Sequence, residues 1–173
     1  MAKRVYKRPD LFKVPGVVDI YSVSGHLSRN FSDYVEHWKH NGYWFFDSPE
    51  IVKAVAKMES AQLEGTSLFY YQAYEMEYDG ERWKPWSPES FLTKIVPPTT
   101  KRLEGFDVVT FYAHSMPECS PLSCNSMAKD VHVNEHCLFK SFDEAQRNLS
   151  NGAFKKAGPG PYRIFSVYSV DWI

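Results

Sequence analysis

The residues with the most chemistry among them lie in one stretch, HSMPECSPLSCNSMAKDVHVNEHC, from His114 to Cys137. It holds every cysteine of the chain, Cys119, Cys124 and Cys137, together with His114, His132 and His136. Cys119, Cys124, His132 and His136 form a donor set of two thiols and two imidazoles, the kind that zinc takes in tetrahedral sites. Four residues separate the two cysteines, whereas the common zinc knuckle is tighter. The plainer reading, small buried thiols and loop histidines, is preferred. No cofactor is therefore expected, and zinc is the metal to test for.

The same stretch also permits nucleophilic chemistry. Ser120 can cap a helix that Pro121 opens, which would place Cys124 just inside a helix N-terminus, where a thiol pKa falls. His114 or His132 would then serve as base, giving a hydrolase or transferase. No glycine-framed nucleophile motif surrounds Cys124, and the chain has no GxxxxGK, HExxH or GxSxG pattern. Asp33, His37 and His40 in SDYVEHWKH share a helical face by their spacing. They read as the solvated side opposite Tyr34, Val35 and Trp38.

A second group suits recognition better than catalysis. YEMEYDGERWKPW places Glu75, Glu77, Asp79 and Glu81 along a strand and turn, followed by Trp83 and Trp86. An acidic strip steers a basic partner and tryptophans anchor interfaces. The competing reading is a charged edge strand with both rings folded back onto the core. Lys3, Arg4, Lys7 and Arg8 give a basic tail, which with the many rings would suit single-stranded nucleic acid. The acidic strip and a net charge of -1 argue against that, so nucleic acid is not the expected partner.

The elements that must position these residues show an internal echo. VVDIYSVS at 17–24 resembles VVTFYAHS at 108–115, Phe46 and Ser48 match Phe139 and Ser141, and AYEMEY at 73–78 matches VYSVDW at 167–172. The offsets are 91, 93 and 94, a drift expected of a duplicated unit with small insertions. Each unit reads as strand, helix-bearing loop, short strand, helix, long strand. Ser48, Pro49 and Glu50 start the first helix, with Ile51, Val52, Val55, Met58 and Leu63 as its stripe and Gly65 as its stop. Ser141 and Glu144 form a capping box for the second, Phe142, Ala145 and Leu149 face inward, and Asn151-Gly152 ends it. In the long strands Tyr74, Met76, Tyr78, Tyr168, Val170 and Trp172 should be buried, with Glu75, Glu77, Asp79, Ser169 and Asp171 wet. Asp79-Gly80 marks a hairpin, and PESFLTKIVPPTT a short helix and linker.

The expected fold class is α+β: a single compact domain of two tandem β-α-β-α-β-like repeats, with pseudo-two-fold symmetry around a mostly antiparallel or mixed sheet. Residues 1–10 form a basic flexible tail, 11–96 the first repeat with its linker, and 97–173 the second. A chain of 173 residues with 43% apolar and 24% charged residues can bury a core unaided. It has no stretch approaching the roughly 18 apolar residues of a membrane span, and its three cysteines do not form a secreted disulfide framework. A cytoplasmic location without membrane contact follows as the expectation. With 16% aromatic residues and no recognisable catalytic set, the expected function is non-enzymatic protein binding, as in an inhibitor, immunity or anti-defence factor of bacterial or phage origin.

Overall fold

The computed structural model describes the backbone of residues 2–5 and, in full, residues 46–58, 63–64, 67–87, 95–111, 120–122, 127–157 and 160–171. These form an α+β arrangement of one antiparallel sheet and two helices. In chain order the elements are β1 (Ala2–Val5), α1 (Pro49–Met58), β2 (Ser67–Tyr78), β3 (Trp83–Pro85), β4 (Arg102–Thr110), α2 (Phe142–Ser150) and β5 (Tyr162–Val170), with a 3-10 turn at Met127–Lys129. The strand path is β1-β2-β5-β4, with β3 added to β2, and every described pairing is antiparallel. No helix among the described residues is long and apolar enough to cross a membrane.

Both helices begin where local chemistry dictates. The Ser48 hydroxyl accepts from the Ile51 amide at 3.4 Å, and its hydrogen bond holds the Glu50 carboxyl below the usual range. Val52, Val55 and Ala56 are buried on α1, but Met58, expected in its apolar stripe, is 62% exposed. Gly65 lies outside the described residues. On α2 the Ser141 hydroxyl accepts from the Glu144 amide at 3.2 Å, and Glu144 Oε2 accepts from the Lys140 amide, one residue before the position a strict capping box uses. Asn151 closes the helix and Gly152 follows at φ +74.

Directly paired residues of an antiparallel sheet share a face. Tyr71 and Val167, Ala73 and Phe165, and Gly105 and Asp107 opposite those β5 residues therefore belong to one face. Ile164 and Val108, with Tyr162 and Tyr78, belong to the other. α2 covers that second face, its Phe142 ring meeting Tyr74 at 4.4 Å and Phe106 at 6.2 Å between centroids, while Phe154 meets Tyr162 at 6.1 Å. Tyr71, Val167, Phe165 and Val109 are fully buried on the first face, as are Ile164 and Val108 on the second.

Burial on both faces corrects the expected in-and-out alternation. Glu77 is 7% exposed and Tyr78 beside it equally so, whereas Tyr74 is 42% exposed. The reason is a register shift: Ala73 faces Phe165 but the next pair is Glu77 with Arg163, so residues 74–76 bulge outward. β5 also starts earlier than expected, at Tyr162, and runs to Val170. Its Tyr168, Ser169 and Val170 are all half-buried; Trp172 lies outside the described residues.

Candidate functional site

Arg163 is the centre of the most unusual group of side chains. It is 4% exposed on a central strand, a position that a guanidinium tolerates only when charge and face are both matched. Its Nη2 lies 3.1 Å from Glu77 Oε2 and its Nε donates to the same oxygen at 3.2 Å. Lys84, facing Glu77 from β3, approaches Oε1 at 3.2 Å. The guanidinium lies 3.5 Å from the Trp86 ring centroid and 4.0 Å from that of Phe111, so two rings sandwich a cation that Glu77 neutralises. One strand further along the same face, Asp107 is 1% exposed and accepts from the Tyr71 hydroxyl at 3.2 Å and the Ser120 hydroxyl at 2.5 Å. Sequence reasoning passed over Arg163, Asp107, Tyr71 and Ser120 as partners, because strand pairing, not spacing, brings them together.

The hairpin from Tyr78 to Trp83 is held as rigidly. Asp79 Oδ1 accepts from the Glu81 and Arg82 amides at 3.0 and 2.9 Å, and Gly80 takes φ +106. The backbone hydrogen bonds to Glu81 and Arg82 hold the Asp79 carboxyl below its ordinary value. Trp83 meets Tyr78 at 5.3 Å and donates from Nε1 to Ser150 Oγ of α2 at 3.2 Å. Both tryptophans are therefore half-buried and turned back onto the body, and Glu77 is withdrawn from the acidic strip. Glu75 and Glu81 remain exposed and Asp79 partly so.

At the other end of the sheet a bulge makes a second polar centre. Leu103 pairs with Tyr168 and Gly105 with Val167, which leaves Glu104 as the extra residue. Glu104 Oε1 accepts from Ser169 Oγ at 2.5 Å and from Arg102 Nε at 2.8 Å, and Oε2 lies 3.7 Å from His136 Nε2. Burial alone would raise the Glu104 carboxyl, but the hydrogen bonds from Ser169 and Arg102 and the charges of Arg102 and His136 outweigh it and hold it below the usual range. A carboxylate with a lowered folded pKa contributes stability that is complete above its unfolded value, about 4.3, and lost as pH falls through the folded value. Glu104→Gln should accordingly unfold at lower urea than the wild type at neutral pH, with the gap closing as the solution is acidified; a gap independent of pH would refute the assignment.

His136 stands in a loop that Asn134 organises. The Asn134 side chain accepts from the His136 and Leu138 amides at 2.9 and 3.1 Å and donates to the Glu104 carbonyl at 2.7 Å. Cys137 takes φ +57 in this loop and is buried. Phe106 and Phe139 then exchange backbone hydrogen bonds at 2.9 Å, latching the loop to β4. Nearby, Ser67, Thr100, Lys101, Arg102, Ser169 and Asp171 line a cleft of about 420 Å³.

The alternative metal and nucleophile sets are only partly within view. His114, Cys119 and Cys124 lie outside the described residues, as do Asp33, His37, His40 and the basic tail side chains. His132 is exposed, while His136 is half-buried with its ring edge-on to Phe69 at 5.7 Å. No group of three potential metal ligands occurs among the described residues. The Ser120 hydroxyl donates to Asp107, and residues 123–126, where the helix it was expected to cap would begin, lie outside the described residues. The chain matches no protein-family model, and neither a curated protein nor a solved structure matches it significantly.

Proposed function

We propose that the chain is a non-enzymatic protein-binding protein that recognises its partner through the β2–β3 hairpin, acting by surface occupancy as an inhibitor or immunity factor does. The observation that carries this reading is the anchoring of that hairpin. Trp83 is bonded to α2, Trp86 is stacked under Arg163, and Asp79 closes the turn, so the exposed Glu75 and Glu81 are displayed on a frame already rigid. A preformed frame removes much of the ordering cost of association, and the acids favour a basic partner. The tryptophans act as struts here, not as contact anchors.

Two halves built alike also belong to this proposal. Phe46 and Phe139 are each buried, isolated bridge residues three positions before a helix. Gln72 on β2 pairs with Ser166 on β5, 94 residues apart, the same offset that relates the two strand sequences. A two-fold axis through that pair would relate β2 to β5, and this shared offset is what supports the tandem duplication.

The double variant Glu75→Lys with Glu81→Lys should lose at least tenfold in affinity for the partner retained by the wild-type chain from its native host, with an unchanged unfolding midpoint. Equal retention by wild type and variant would remove the hairpin from the interface.

A further inference from the structure

We propose that a pocket between the β2–β3 turn and the loop after α2 binds a small aromatic carboxylate, its ring among Tyr78, Phe154 and Tyr162 and its acid group on Lys155. The pocket measures about 200 Å³, and a dry apolar cavity of about 150 Å³ already takes a benzene ring. One substituted ring is therefore its size. Tyr78 and Tyr162 are paired across β2 and β5 on the face that α2 covers, and Leu149 from the last turn of α2 and Phe154 from the loop behind it add apolar walls. Polar groups of this lining are already bonded within the protein: the Tyr162 hydroxyl donates to the Phe154 carbonyl at 3.0 Å, the Gly152 amide to the Leu149 carbonyl at 2.9 Å and the Lys155 amide to the Gly152 carbonyl at 3.2 Å. Water entering here gains few hydrogen bonds, whereas a ring gains contact with other rings.

Lys155 makes this apolar pocket a site for an acid. Gly152, at φ +74, leaves room for its side chain, since a Cβ there would lie 2.6 Å from Lys155 Cε and 3.2 Å from its Nζ. The exposed lysine is thereby laid along the pocket that both residues line. Among the described residues no carboxylate pairs with its ammonium, and no acid belongs to the lining. Asp79, beside Gly80 of the lining, is turned onto the Glu81 and Arg82 amides of its own turn. A cation without a counter-charge beside apolar walls selects a ligand that is a ring at one end and an anion at the other. A longer acid exceeds the volume, and a bare anion leaves the walls unfilled.

Amide chemical shifts of the isotope-labelled full chain, titrated separately with benzoate, benzyl alcohol and acetate, test this. Benzoate should move the Gly80, Gly152, Lys155 and Gly160 amides together, with a dissociation constant of about 1 mM, the scale expected of so small a ligand. It should bind about fivefold more tightly than benzyl alcohol, which lacks the charge, and more tightly still than acetate, which lacks the ring. Lys155→Met should weaken benzoate about fivefold and leave benzyl alcohol unchanged. Lys155 is exposed, so this variant should fold normally. Lining amides that stay unmoved at about 20 mM benzoate, equal binding of benzoate and benzyl alcohol, or a benzoate affinity indifferent to Lys155→Met would each overturn the proposal. The titration contains no partner protein, so its outcome is separate from the role of the hairpin in recognition.

Discussion

Arg163→Met should lower the unfolding free energy by about 3 kcal/mol, read as a reduced urea midpoint at constant slope. Methionine keeps the unbranched stem but ends one bond short of the guanidinium carbon, so the loss combines the ion pair with Glu77 and the cation–ring contacts to Trp86 and Phe111. Glu77, 7% exposed, would be left with Lys84 alone, a lysine whose side chain is 45% exposed and shared with water. Breaking one partner of a buried pair leaves an uncompensated charge, whereas removing both can be nearly neutral. Adding Glu77→Leu to Arg163→Met should therefore restore much of the lost stability. A single variant costing under about 1 kcal/mol, or a double variant no better than the single, would show that water reaches the pair.

Gly105→Ala should be comparably damaging, at about 3 kcal/mol, for a steric reason. A Cβ at Gly105 would lie 2.6 Å from the Phe139 carbonyl oxygen and 2.8 Å from Leu138 Cβ, and the residue sits at φ +151. The backbone of the Asn134 loop can approach β4 only because that carbon is missing. Faster hydrogen exchange at the Phe106 and Phe139 amides, which bond across this contact, should accompany the fall in stability. Gly80→Ala is the control: φ is +106 but nothing lies within 4 Å, so only backbone strain is added, about 1 kcal/mol. If the two alanines cost the same, close packing at Gly105 is not what the glycine provides.

These two positions also mark the limit of sequence reading. Both helix starts were legible, because capping is decided within a few residues: Ser48 and Ser141 bond amides three positions on. The Asp79-Gly80 turn was legible for the same reason. The acidic strip was not, since alternation along β2 separates two faces without saying whether either is wet. Glu77 looked like its neighbour Glu75, yet one is buried against Arg163 and the other exposed. The difference arises from a bulge in β2 and from a cation 86 residues away in sequence.

Local periodicity and capping, acting over a turn or two of chain, determined the α+β class, the two helices and the hairpin. Which polar groups are withdrawn from water was decided only by tertiary structure. The energy of a buried charge depends on what lies opposite it, and strand register brings Arg163 to Glu77, Tyr71 and Ser120 to Asp107, and Ser169 to Glu104.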